Sequence, residues 1–279
     1  MIDDAVVLRD GRRLAYRQYG PADGRPLLFL PGAGLGRLMR FGEDALADRH
    51  VRLLSIDRPG LGASSPHPVK TFASVAADLA ALVDAVVGEP VTVVANSQGA
   101  PFGLAFATTG RARGAVLVSP IDDVGHPPTT ALLPADYRAL VAEVAADPEA
   151  AMRRFSAFTA AELFAMMTGD HPPADQPIYD DPGFRSMLRT ALDDGFASGA
   201  DGYARDTMLA MSPWPAQLFE PVVGVRILIG AHDRVHSPDG AATLTGRIRG
   251  ARRAVVDDAG GALLWSHPHL VLDAATITP

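Results

Sequence analysis

The chain has 279 residues, 48% hydrophobic and 20% charged, which suits a packed globular protein and excludes the disordered class. It contains no cysteine, so disulfides and thiolate metal sites are excluded, and its formal net charge of -7 argues against a nucleic-acid partner. No basic and apolar leader opens the chain and no apolar run of about 18 residues occurs, so a cytoplasmic protein without a membrane partner is expected; the Ala, Arg, Gly and Pro enrichment suits a bacterial source.

In chain order, residues 6–8 and 14–19 flank the turn at Asp10-Gly11 and read as an antiparallel hairpin. The apolar runs 26–30 and 51–56 read as buried strands, with a crossover helix over 38–48 between them. Val75, Leu79, Leu82, Val83 and Val86 recur at helical spacing and stop at Gly88 and Pro90. A strand over 91–95, a helix over 98–108 and a sixth strand over 116–118 follow.

The alternation lapses over 121–215, where helical stretches such as 137–144 and 149–158 are separated by Pro-rich turns. That segment carries 15 Asp and Glu against 6 Arg, which marks it as separate and gives it a solvated acidic face. Alternation resumes with a strand over 225–230, a helix over 238–248, a strand over 254–257 and a last helix near 267–274. The expectation is an α/β fold, a mostly parallel sheet flanked by helices, with its core at 1–120 and 216–279 and a helical cap inserted at 121–215.

The strand at 91–95 runs straight into Asn96-Ser97-Gln98-Gly99, with tiny residues at Ala95 and Gly99 on either side of the serine. A tight strand-to-helix turn strains the serine backbone and brings the two elements so close that only small side chains fit. Turns without chemistry also read this way, so the surrounding motifs matter. Leu28-Phe29-Leu30-Pro31-Gly32-Ala33-Gly34 precedes it, as does Asp57-Arg58-Pro59-Gly60-Leu61-Gly62; Gly230-Ala231-His232-Asp233-Arg234-Val235-His236-Ser237-Pro238 and Gly260-Gly261-Ala262-Leu263-Leu264-Trp265 follow it. In this order, over nearly the whole chain, the sequence resembles the α/β-hydrolase superfamily, in its capped, serine-nucleophile form.

The resemblance implies Ser97 as nucleophile, with the backbone N–H groups of Ala33 and Gln98 as oxyanion hole. Pro31 stands where the family often has histidine, and Ala95 where it usually has glycine. The Asp57 turn is read as structural. Asp233 matches the triad carboxylate, with Asp122 and Asp123 in reserve; Ser237, rather than Asp233, suits the N-cap of the helix expected at Pro238. Gly32, Gly34, Asn96, Trp214, His232 and Leu263 are expected beside the substrate.

The position of the catalytic histidine reads Ala262, which cannot accept a proton, so a severely impaired acyl-transfer enzyme is expected. Three explanations stand open: an engineered alanine, a natural loss with the pocket turned to other uses, or another histidine serving as base. His232 and His236 flank Asp233, but a loop histidine ordinarily faces solvent; His267 and His269 read as structural, and His126 and His171 lie in the cap. His232-Asp233-Arg234-Val235-His236 mimics a zinc motif but sits on a loop, so neither metal nor cofactor is expected.

The cap is rich in Met and aromatic residues, among them Phe155, Phe164, Met167 and Met208, which suits both its own packing and a lid over a small hydrophobic substrate. A histidine-bearing form would cleave an ester, thioester or lactone through an acyl-enzyme. A cyclase, lyase or binding protein of the same fold is the alternative, as is a carbon-carbon bond hydrolase, whose Asn-Ser-Met-Gly elbow Asn96-Ser97-Gln98-Gly99 resembles. Oligomeric state stays open.

Overall fold

The computed structural model describes residues 2–276; Met1 and residues 277–279, the outer ends of the two expected core segments, lie outside the described residues. Eight strands form one sheet: β1 (Ile2–Val7), β2 (Arg13–Tyr19), β3 (Arg25–Leu30), β4 (Val51–Ile56), β5 (Val91–Ser97), β6 (Ala112–Pro120), β7 (Val225–Gly230) and β8 (Arg252–Val256). Their spatial order is β1-β2-β4-β3-β5-β6-β7-β8. β2 is antiparallel to β1 and β4, and the remaining pairs are parallel.

Between the strands lie α1 (Glu43–Asp48), α2 (Phe72–Val86) and α3 (Ala100–Ala107). The capping box of Thr71 with Ser74 starts α2, and Gly88 at φ 83° follows its end. Alternate residues of the central strands feed two cores. Phe29 and Val94 face a core shared with α1 and the last helix, and Leu28, Leu30, Val93 and Ala95 face one shared with α2 and α3.

Seven α-helices and a short 3-10 helix (Ala216–Phe219) fill the connection from β6 to β7: α4 (Pro127–Leu132), α5 (Ala135–Ala146), α6 (Pro148–Ser156), α7 (Ala160–Met167), α8 (Gln176–Tyr179), α9 (Pro182–Gly195) and α10 (Asp201–Met211). Their apolar side chains, including Phe155, Leu163, Phe184 and Leu192, continue the first core. α11 (Ala242–Arg247), α12 (Leu263–Ser266) and α13 (Pro268–Thr276) complete the chain. Among the described residues no helix is long and apolar enough to cross a membrane.

Two expected helices are shorter than their sequence pattern. The one over 38–48 begins only at Glu43, after Gly42 at φ 59°, and the one over 238–248 only at Ala242, after Gly240 and Ala241 at φ 63° and 62°. Left-handed backbone cannot sit inside a right-handed helix, so the chain turns before it winds. Ser237 therefore does not cap α11: its Oγ accepts from Ala241 N, while Asp239 accepts from the N–H groups of Ala242 and Thr243. The acidic face of the insertion is also not wholly solvated, because Asp175 and Asp206 are buried.

The serine turn is as crowded as its small residues require. A methyl group on Gly99 would press into the carbonyl oxygen of Leu30, and one on Gly103 would lie 2.6 Å from Ala95 Cβ. Gly99→Ala is expected to destabilise the fold by about 1–3 kcal/mol through overpacking, seen as a lower urea midpoint with an unchanged slope.

Candidate active site

Ser97 ends β5 with φ 51°, a left-handed conformation that a non-glycine residue holds only when its surroundings impose it. Its hydroxyl makes no hydrogen bond among the described residues and opens on a cavity of about 60 Å³. Gly32, Ala33 and Asn96 form the floor beside it, and Met167, Tyr179, Phe184, Leu188 and Trp265 form an apolar roof. Gly32 packs closely here, since a Cβ would stand 3.3 Å from Ser97 Cβ and the serine would have to give by a few tenths of an ångström. Asn96 is fixed by its Nδ2 donating to Val118 O at 2.9 Å.

Neither the N–H of Ala33 nor that of Gln98 has an acceptor among the described residues, although Gln98 is buried and Ala33 half-buried. Arg58 sets the direction of the first. Its guanidinium, fully buried, donates to Pro31 O at 2.5 Å and to Gly32 O at 2.9 Å. In a trans peptide the C=O and N–H point to opposite sides, so holding Gly32 O turns the Ala33 N–H away from Arg58. Arg58 is held in turn by Asp206 of α10 at 2.7 Å, which also pairs with Lys70 at 2.5 Å. Burial pushes the Lys70 ammonium below its usual value, against the pull of Asp206. The turn read as merely structural therefore carries a side chain that orients the loop after β3.

Asp233 follows β7, and its buried carboxylate accepts from the N–H groups of Val235 and His236 at 3.0 and 3.1 Å. Its Oδ2 also lies 2.9 Å from His236 Nδ1. Burial works against ionisation of Asp233, but the facing imidazole and the two N–H groups outweigh it, so the carboxyl lies below the ordinary aspartate range. His236 is not the solvent-facing loop residue that its position suggested: its side chain is 15% exposed and it lines the same cavity as Ser97. Asp122, the reserve acid, is occupied elsewhere. Its carboxylate accepts from Ser237 Oγ at 2.8 Å and its N–H donates to His236 O at 3.2 Å, while Asp123 pairs with Arg247.

Ala262 is fully buried, and the turn around it is clamped from the insertion. Asp175 accepts from Gly261 N at 2.8 Å and Ala262 N at 3.1 Å. Gly261 lies against the His236 ring, where a Cβ would come within 3.1 Å of Cε1. Tyr179 beside them has its phenol pushed well above the usual range by burial, then by Asp175 and Asp233.

Several expected substrate neighbours lie elsewhere. Trp214 is buried in the second core, its indole N–H donating to Ala210 O and its ring stacked on Phe219. Leu263 packs into the first core, Gly34 sits against Phe196 and Leu163, and His232 is exposed. His171 stacks on Tyr179 at 3.6 Å, and His267 pairs with Ser266. A larger pocket of about 420 Å³ opens at the start of the strands around Arg25 and Arg113, and neither Ser97, Asp233 nor His236 lines it. The described residues hold no cluster of three or more potential metal ligands.

Sequence and structure comparisons agree with this architecture. Residues 27–274 match the model of the alpha/beta hydrolase family. An uncharacterized hydrolase of Bacillus subtilis (strain 168), YcgS, is 32% identical over 103 residues, a match spanning 37% of this chain and only 36% of that protein. Among solved structures, a hydrolase from Pseudomonas aeruginosa PA01 is similar with a TM-score of 0.68 at 23% identity, covering 98% of this chain and 96% of that one. An enol-lactonase from Burkholderia xenovorans LB400 gives 0.69 at 17% identity (97% and 98% covered), and a bromoperoxidase from Bacillus anthracis 0.70 at 19% (98% of each). At these identities the likeness is one of fold.

Removing the shared anion of the buried cluster strands two cations. Asp206→Asn is expected to cost about 3–5 kcal/mol of stability, measured by urea denaturation. A second expectation follows from Asp233, whose folded-state pKa is lowered. Its stabilising contribution is complete above the unfolded value of about 3.9 and is lost as pH falls through the lowered folded value. Melting temperatures of the native chain and Asp233→Asn should therefore converge on acidification below that range.

Proposed function

Since the chain belongs to the alpha/beta hydrolase family, we propose that it is a serine hydrolase in which Ser97 attacks the carbonyl of an ester, thioester or lactone in a small hydrophobic substrate. Residues 1–120 and 216–279 form the catalytic core in this reading, and residues 121–215 its cap. The observation that carries it is Ser97 itself, held at φ 51° with a hydroxyl that makes no hydrogen bond among the described residues, on an apolar-roofed cavity. Strain of this kind has a use when it presents a nucleophile clear of its own strand and helix.

The N–H groups of Ala33 and Gln98, which have no acceptor among the described residues, would receive the oxygen that gains charge as the carbonyl becomes tetrahedral. Arg58 is the positioning residue for the first of them. Asp233 would orient and stabilise an imidazolium, its ionised form being favoured by the contacts it already makes. The acyl-enzyme would then be released by water.

Ala262 supports a second reading, in which the same pocket binds or rearranges a ligand without an acyl-enzyme, since residue 262 has no group that takes a proton. The two readings separate on Ser97. A fluorophosphonate probe should label the native chain at Ser97 and not Ser97→Ala, and p-nitrophenyl esters of short acyl chains, with lactones alongside, should be hydrolysed only when Ser97 is present. No labelling and no turnover, either in the native chain or in Ala262→His, would sink the serine-hydrolase reading.

A further inference from the structure

We propose that His236 is the catalytic base, so that the imidazole missing at position 262 is supplied from the acid's own loop. The assignment rests on the serine-hydrolase reading above and goes beyond it, because the family position of the base is empty here and no motif points to residue 236.

Geometry makes the case. His236 lies three residues after Asp233 and turns back on it, Nδ1 facing both carboxylate oxygens at 2.9 and 3.1 Å. With Nδ1–H donated to Asp233, the lone pair of the ring is on Nε2, which makes no hydrogen bond among the described residues. This is the division of labour a serine hydrolase needs: one ring nitrogen held by a buried carboxylate, the other left for the hydroxyl proton.

The ring is held in place by its backbone and by its neighbours. Its own N–H donates to Asp233, its carbonyl accepts from Asp122 N, and the adjacent Ser237 hydroxyl donates to Asp122. On its far side lies Gly261, the residue before Ala262, and that turn is fixed by the two hydrogen bonds to Asp175. The imidazole thus stands next to the backbone from which a histidine at 262 would have projected. His236 and Ser97 line one cavity. His171, His232 and His267 are stacked, exposed or paired elsewhere.

The chemistry closes without any other group. As Ser97 Oγ bonds to the carbonyl carbon, its proton passes to His236 Nε2 and the C=O electron pair moves onto oxygen, beside the N–H groups of Ala33 and Gln98. Collapse re-forms C=O and expels the alkoxide or thiolate, which takes the proton from Nε2. Water then gives a proton to Nε2 as it attacks the acyl carbon, and Ser97 leaves with that proton.

The test uses p-nitrophenyl acetate and a fluorophosphonate probe on the full chain, comparing the native protein with His236→Ala, His236→Gln, Ala262→His and the double variant His236→Ala/Ala262→His. The base assignment expects both His236 variants to lose at least about a hundredfold in kcat/KM, with KM moving far less. It also expects added imidazole, or a histidine placed at 262, to restore part of the loss in His236→Ala, which a folding defect would not allow. Diethyl pyrocarbonate on the native chain gives a readout without substitution: loss of Ser97 labelling should track carbethoxylation of His236 in peptide maps. A reactive native chain whose rate survives both His236 substitutions and His236 carbethoxylation overturns the base and leaves the serine hydrolase standing. So does an inert native chain that Ala262→His makes reactive. If both are inert, the serine-hydrolase reading falls and the base with it.

Discussion

One buried carboxylate, Asp206, binds together three stretches far apart in sequence. It faces Arg58 from the turn after β4 and Lys70 from the loop before α2, while it belongs to α10 of the helical insertion. Two cations sharing one anion in a dry interior would be costly if they had no further partners. Here the surplus donors end on main-chain carbonyls: Arg58 on Pro31 and Gly32, Lys70 on Pro59 and Gly202. The desolvation cost of the cluster is thereby turned into a fixed orientation of the loop beside Ser97, and the insertion cannot shift without disturbing it.

The opposite side of the cavity is organised around a second carboxylate. Asp233 fixes the loop after β7 by accepting main-chain N–H groups, and the same atoms align His236. An acid and an imidazole on one short loop move as a unit, so their mutual geometry depends little on how other loops pack. What depends on packing is the distance from that unit to Ser97. Asp122 serves this by tying His236 and Ser237 to the end of β6, next to Ser97 on β5. Burial raises the Asp122 pKa, while the Ser237 hydroxyl helps retain its charge.

Much of this was legible in the sequence because it is written in short-range patterns. Apolar runs gave the strands to within a few residues, and Asn96-Ser97-Gln98-Gly99 after an apolar run gave the turn at Ser97. The helices expected from near 38 and 238 start later because left-handed residues such as Ala241 leave no mark in an apolar pattern. The roles of Arg58, Asp175 and Asp206 are invisible for another reason: Arg58 reaches carbonyls 26 and 27 positions back, Asp175 reaches N–H groups 86 and 87 positions on, and Asp206 meets Arg58 across 148 positions, and no spacing rule reaches that far. His236 sat in plain view three residues from Asp233. Its direction was the missing information, and only the turn of the loop supplies it.

Cavity size adds a constraint that the residues alone do not. At about 60 Å³ the space over Ser97 holds a few water molecules or a small acyl group, so a larger group needs either its open side or displacement of lining side chains. Two parts of the insertion are poor candidates for that displacement. Asp175, just before α8, is bonded to the turn at 261 and 262, and Asp206 on α10 is locked to Arg58 and Lys70. Met167, at the end of α7, reaches the roof as an unbranched thioether, and Met166 beside it is 64% exposed. A flexible apolar side chain at an exposed helix end yields at lower cost than a buried ion pair. In the proposed hydrolase, room for a substrate would therefore be cheapest to make on the α7 side, where it would leave both the loop beside Ala33 and the loop carrying His236 in place.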